Sequence, residues 1–349
     1  MSHTPFRLSG LTVALLALAG VAQAQSSVTV YGAIGLDVVS ATHVYNGTST
    51  GSVVKVDDNA IVNSRIGFKG SEDLGGGLKA QFGLESSVRP DTGTAGNGGT
   101  TFFNRGSYVG LAGDFGSVRV GRQWNVADDY MGNYFAFGFY SAFLLGGFGP
   151  LSDLTNNAIK YTTPKIGGVE AGLFYGLGEQ AGRTSAGQTF QAALNYAEGP
   201  VGVGGVAYSA KSPTAGVGAT TMYALGASYQ FGAVKARVGV ATADVKDVTA
   251  AGTYKANVVD FGVDVPLSAQ ASLSLDYVKY DKKDSDDDTA FFRARGAYAL
   301  SKRTTLNANV IFLNNSGNAD FAFVTQGRGF AGKAGQSQTV LTAGITHAF

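Results

Sequence analysis

Apolar and polar residues alternate with a period of two along nearly the whole chain. In Leu78–Glu85, Leu78, Ala80, Phe82 and Leu84 share one face, while Lys79, Gln81, Gly83 and Glu85 share the other. Successive side chains of a strand point to opposite faces, so this is a strand with one apolar and one polar side. The same alternation returns at Val169–Tyr175, Phe190–Tyr196, Val234–Val240, Val259–Val265 and Leu306–Phe312. It predicts strands over 27–40, 61–70, 78–88, 103–112, 117–124, 157–163, 169–177, 189–197, 201–210, 221–231, 234–244, 256–265, 271–281, 289–299, 304–313 and 338–349.

Each run is about the length a tilted strand needs to cross a hydrocarbon layer. The connections alternate in length. Short turns carry Gly, Asp or Pro, as at Asp73–Gly77, Gly113–Gly116, Glu198–Pro200 and Phe231–Ala233, and the intervening connections are longer and polar. Short turns at one end and long loops at the other belong to a bacterial outer-membrane barrel. Tyr161, Tyr175, Tyr196, Tyr229, Phe231 and Tyr298 fall near strand ends on the apolar face, where interfacial girdles sit. A soluble sandwich or β-helix would bury that face instead. The expectation is therefore an all-β, antiparallel transmembrane barrel of about sixteen strands, a size that leaves an aqueous channel.

Composition narrows the rest. There is no Cys, which excludes a disulfide framework and a thiolate site. Glycine is abundant (51 residues) but proline is scarce (7), so the glycine is neither collagenous nor linker-like. The N-terminus has its own pattern. Arg7 is the only charged residue before an apolar run from Leu11 to Val21, and Ala22-Gln23-Ala24 follows. A basic start, a short apolar core and a small-residue site make a secretion signal, and the run is too short to span as a helix. The expected division is a signal over 1–24 and a single barrel domain over 25–349. Without Arg7 the Lys and Arg residues number 25 of the original 26 and balance 25 Asp and Glu. No global field would recruit nucleic acid, and charge must act locally.

Short motifs occur in a telling order: Ser27-Val28-Thr29-Val30-Tyr31-Gly32, Ser64-Arg65-Ile66-Gly67-Phe68-Lys69-Gly70, Val120-Gly121-Arg122-Gln123 and Thr346-His347-Ala348-Phe349. In this order and spacing they resemble the general trimeric Gram-negative porins, in particular the branch found in Bordetella, Burkholderia, Comamonas and Neisseria. The resemblance implies a 16-stranded barrel in a homotrimer, set among outer-membrane lipid and lipopolysaccharide and passing ions and small hydrophilic solutes. It also implies a third external loop folded into the lumen, and a C-terminal Phe349 read by the barrel-assembly machinery. The third loop, about 125–156, is the longest here and rich in aromatics. It departs from the family, because Gly146-Gly147-Phe148-Gly149-Pro150 has no acid where one is expected.

By alternation Arg65 and Lys160 face inward, as does Glu85. The resemblance assigns Arg65, Arg105 and Lys160 to a basic pore wall and Glu85 to an acid near it; Asp128 and Asp129, acids at the start of the long loop, are the candidates to face that wall. Arg119, Lys235, Arg237, Arg293 and Arg295 extend a positive interior, which suggests weak anion preference. Arg122 falls on the apolar side, where a lone Arg costs about 2–4 kcal/mol at the bilayer midplane. The resemblance places it at the subunit interface, paired with an acid of a neighbour's second loop; Asp91 lies in that loop.

Other functions find little support. The mature chain offers His43 and His347 at opposite ends, and no nucleophile–base–acid set forms around either. Asp284–Asp288 resembles a calcium cluster but lacks the glycine and distal glutamate of an EF-hand loop. Gly327, Gly332 and Lys333 have phosphate-loop spacing, but Ala334 stands where Ser or Thr is needed. Nothing in the sequence asks for a metal or cofactor. The alternatives retained are a pore specific for one solute, with the aromatic third loop as an apolar slide, and a surface adhesin or receptor barrel.

Overall fold

The computed structural model describes residues 27–60, 62–96, 101–135, 154–246, 253–325 and 328–349. They form a closed antiparallel barrel of 16 strands. The strands are β1 (Ser27–Tyr45), β2 (in two segments, Thr50–Asp58 and Arg65–Gly75), β3 (Leu78–Arg89), β4 (Gly106–Gly113), β5 (Gly116–Trp124), β6 (Leu154–Thr162), β7 (Val169–Gly176) and β8 (Thr189–Glu198). They continue as β9 (Val201–Lys211), β10 (Ala219–Phe231), β11 (Val234–Val245), β12 (Tyr254–Pro266), β13 (Ala271–Lys282), β14 (Thr289–Ala299), β15 (Thr304–Asn315) and β16 (Gln338–Ala348).

Each strand pairs with the next, and β1 closes on β16 from Ala33↔Ala348 to Ala41↔Val340. Closure removes the sheet edge, so the ladder satisfies every strand's backbone without water, as hydrocarbon requires. At the seam Gly32 and Phe349 exchange two backbone hydrogen bonds of 3.1 Å. Among the described residues no helix is long and apolar enough to cross a membrane; the crossing elements are strands.

Local chemistry explains the turns. Between β2 and β3, Gly75, Gly76 and Gly77 all take positive φ, and the Asp73 carboxylate accepts from the Gly75 amide at 2.9 Å. Three consecutive left-handed residues are cheap only for glycine.

Burial is inverted relative to a soluble protein. Val109, Leu194, Leu225, Phe261, Phe312 and Leu341 are exposed on the outside, whereas Asp276, Arg293, Gln191 and Asn309 are buried inside. An apolar band this extensive is stable only against lipid. Tyr196, Tyr229, Phe231 and Tyr298 are exposed on it, as the girdle reading expects.

The strand expectations hold to within a few residues except near the N-terminus. There β1 runs on to Tyr45 and pairs with Thr50–Asp58, a strand segment the periodicity missed. Residues 59–60 and 62–64 interrupt β2 as a bulge between its two segments. Asp37 anchors the bulge, accepting from Asn59 Nδ2 at 2.5 Å and the Ala60 amide at 2.8 Å. Ser64 Oγ accepts from the Gly35 amide at 2.9 Å and donates to the Gly35 carbonyl at 3.1 Å. The sequence-based strand at 61–70 straddles this bulge, which has no period of its own.

Candidate functional site in the barrel lumen

The inner wall of β1–β5 gathers three of the expected residues. Glu85 on β3 is the hub: its Oε1 accepts from Arg105 Nε at 2.7 Å, and its Oε2 lies 3.6 Å from Arg65 Nε and accepts from the Tyr31 hydroxyl at 2.9 Å. Arg65 also donates to the Asn63 carbonyl at 2.9 Å, so the end of the bulge sets its position. Arg105 precedes β4 and stacks on Trp124, 5.0 Å from the ring centroid. Farther along the wall Arg119 lies 4.9 Å from the Tyr108 ring and Lys69 5.0 Å from the Tyr31 ring. Among the described residues neither of these last two cations forms an ion pair. One carboxylate is thus shared by two guanidinium groups, and this wall carries net positive charge.

The third loop begins on the inner face of the barrel. Helix α1 (Val126–Met131) is capped by Asn125, whose side chain accepts from the Asp128 amide at 2.8 Å. Asp128 and Asp129 sit in its first turn, where the helix dipole favours acids. Asp129 receives Lys160 Nζ of β6 at 2.6 Å, and the same ammonium donates to the Trp124 carbonyl at 2.9 Å. The expected basic wall and acidic loop do meet here, but as a closed pair that leaves little free charge. The Ala127 amide donates to Gln191, and Tyr134 donates to Asn195 at 2.6 Å, both on β8. Tyr134 also packs over Gly202, Gly204 and Gly226, and Phe135 over Gly239. Residues 136–153, including Phe137, Phe139, Tyr140, Phe143, Phe148, Asp153 and the Gly146–Pro150 segment, lie outside the described residues.

The uniformly positive interior is corrected on the far wall. Arg237 on β11 pairs with both Asp264 on β12 and Asp276 on β13, and Arg293 on β14 pairs with Asp276 at 2.5 and 2.8 Å. Ser274 donates to Asp264 at 2.6 Å and accepts from Arg295 at 3.0 Å. Alternation correctly turned these bases inward, but it could not tell that acids one and two strands away neutralise them.

Arg122 is on the outer side, as expected. Its Nε donates to the Asn104 carbonyl and its Nη1 to Asn156 Oδ1, both at 2.6 Å. These bonds lie within one chain and offset part of the cost of a guanidinium on that face.

Sequence reasoning missed a second packed loop. Ile311, Leu313, Val39, Ala41 and Val340 face inward near the top of the barrel and are buried in one cluster with Phe323 and Phe330 of the loop after β15. The signal was present, because Val310-Ile311-Phe312-Leu313 is apolar on both faces rather than alternating. This loop is tied down at several points. Tyr45 donates its amide to the Ala331 carbonyl at 2.9 Å, and Gln338 Oε1 accepts from the Phe323 amide at 2.9 Å. The acidic segment after β13 also serves as an anchor: Asp287 accepts from the Asn318 amide at 2.7 Å and from Lys282 at 3.2 Å, while Lys279 pairs with Asp288 at 2.6 Å. No cluster of three or more acids or histidines fit to hold a metal occurs among the described residues. Lys333, considered for a phosphate loop, sits 5.9 Å from the Tyr45 ring.

A family model for Gram-negative porins matches residues 10–318. The chain belongs to the Gram-negative porins. As a member it is an outer-membrane diffusion channel, and the family's members are channels rather than enzymes. Among its relatives, outer membrane porin protein 32 of Delftia acidovorans is 32% identical over 370 aligned residues, covering 97% of this porin and 99% of that one. The anion-selective porin from Comamonas acidovorans shares its structure at a TM-score of 0.82 and 31% identity, over 93% of this chain and 100% of that one. OmpT of Vibrio cholerae in its trimer form shares the fold at a TM-score of 0.69 and 15% identity, over 93% of this chain and 99% of its own.

Proposed function

We propose that this porin passes small hydrophilic solutes with a weak preference for anions, and that Arg65, Arg105 and Glu85 line its narrowest part. The observation that carries the reading is the shared carboxylate: Arg65 and Arg105 have Glu85 between them, and Arg119 and Lys69 add charge on the same wall. Pores select by the charges at their constriction, and a wall of unbalanced cations draws anions. The anion-selective neighbour from Comamonas supports the same sign.

In this proposal Lys160 of β6, with Asp128 and Asp129 at the foot of the third loop, narrows the lumen from the β6–β8 side. Residues 1–24 act as the export signal and are removed, leaving 25–349 as the barrel. Phe349 is recognised by the barrel-assembly machinery, and lipopolysaccharide surrounds the outer leaflet. The working unit is a homotrimer, with Arg122 at the contact between copies; a barrel of the same fold was solved as a trimer.

Reversal potential in a potassium chloride gradient across a planar bilayer tests the selectivity. The expected sign is that of chloride permeating faster than potassium. A potential of cation sign overturns the reading.

A further inference from the structure

The positive wall has a second regularity that charge alone does not explain. Across the ladder, Tyr31, Gly67, Glu85 and Gly106 stand in one row on β1–β4. The next row is Lys69, Gly83, Tyr108 and Gly121 on β2–β5, and Gln81, Gly110 and Arg119 follow. Large side chains and glycines alternate from strand to strand in these three rows.

The glycines are occupied space. A Cβ at Gly67 would stand 2.5 Å from Cζ of Tyr31, and one at Gly83 would stand 2.6 Å from Cε1 of Tyr108. Each ring therefore lies down on the bare backbone of the next strand instead of projecting across the channel. A cation is stacked with each: Lys69 with Tyr31 and Arg119 with Tyr108. Arg105 is stacked with Trp124 in the same manner.

A wall that had only to attract chloride would need charge and water. This one pairs planar, weakly hydrated guanidinium groups with flattened aromatic rings, a surface suited to a flat apolar group next to a negative charge. We propose that the solute class this wall favours is small organic anions whose carboxylate adjoins an aromatic ring. The proposal rests on the anion preference argued above and names the solutes that exploit it. The carboxylate meets Arg119 or Arg105, and the ring lies flat against the cation–aromatic pairs.

Bilayer reversal potentials with sodium benzoate against sodium cyclohexanecarboxylate test it, because the two share charge and approximate size but differ in planarity. Benzoate is expected to be favoured about two- to fivefold, the scale of one exposed ring–cation contact. Tyr108→Leu should bring the ratio close to one, whereas Tyr108→Phe should keep it. Arg119→Lys, which retains the charge but loses the planar stack, should lower the ratio and supplies the same test if Tyr108→Leu fails to assemble. A wild-type ratio near one, or a ratio unmoved by Tyr108→Leu or by Arg119→Lys, overturns the proposal. The same channels in potassium chloride keep the two ideas apart, since loss of anion preference there overturns the underlying reading and not only the solute class.

Discussion

The two walls of the lumen carry the same residue types to different ends. On β1–β5, Arg65 and Arg105 share the single carboxylate of Glu85, and Arg119 and Lys69 are held by rings. On β11–β14, Arg237 and Arg293 are matched by Asp264 and Asp276, and Asp276 is only 1% exposed. The contrast teaches that inward charge is not the same as field. A balanced network fixes the wall, while one with cations in excess acts on what passes.

The comparison is broken most severely at Asp276. Asp276→Ala leaves Arg293 buried without its acid, and losing one partner of a buried pair costs about 3–5 kcal/mol. The expected outcome is a barrel that unfolds at markedly lower urea and loses its heat-modifiable mobility. The equivalent change on the other wall should act on function instead. Arg65→Gln with Arg105→Gln leaves Glu85 with the Tyr31 hydroxyl as donor and is expected to reduce the chloride-to-potassium permeability ratio about fivefold, which corresponds to about 1 kcal/mol. Its urea midpoint should fall less than that of Asp276→Ala, because Glu85 keeps the Tyr31 hydroxyl and is less buried than Asp276. If both double and single variants changed stability and selectivity alike, the distinction between the walls would fail.

Smaller effects test the outer face and the loops. Arg122→Ala removes the donor to Asn104 and Asn156 and is expected to lower the temperature at which the oligomer dissociates in SDS, with conductance per pore unchanged. An unchanged dissociation temperature would remove Arg122 from the interface. The smallest expected effect is at Asp287, whose carboxyl is held down to about 2 by the Asn318 amide, Ser285 and Lys282. A depressed acid stabilises its folded setting above the ordinary carboxyl range, and this contribution is lost as pH falls through the folded value. The anchor between the acidic segment and residues 316–325 should therefore persist to about pH 4 and vanish towards about 2. Protease susceptibility of the loop after β15 reads this directly, and Asp287→Asn should show the loosened state at neutral pH.

Most of the barrel was legible because its two rules are local. Alternation gives the faces, and glycine-bearing turns give the ends, so β3, β9, β14 and β16 were located almost to the residue. The break in β2 was not legible: the Asp37–Asn59 and Ser64–Gly35 bonds that hold it join residues distant in sequence. The site was half legible. Arg65, Glu85 and Lys160 declared themselves by face, and Arg105 only by resemblance. Their partners were hidden, because a cross-strand neighbour depends on register, which periodicity leaves open. That is why Arg237 and Arg293 read as free positive charge. The glycines at 67 and 83 carried no sequence signal either, since their meaning lies in a tyrosine on the neighbouring strand.

The seat of helix α1 has a consequence in time. Its tethers to Gln191 and Lys160, and that of Tyr134 just beyond it to Asn195, bind the foot of the third loop to two strands that the ladder itself holds rigid. Free loops move on about the nanosecond-to-microsecond scale, whereas elements tied into a sheet keep their place far longer. In the pore proposed above, a crossing solute thus meets this part of the loop as a fixed surface, and an open channel should pass a steady current with little flicker. Lys160→Gln would make the same pore noisier without altering how wide it is on average.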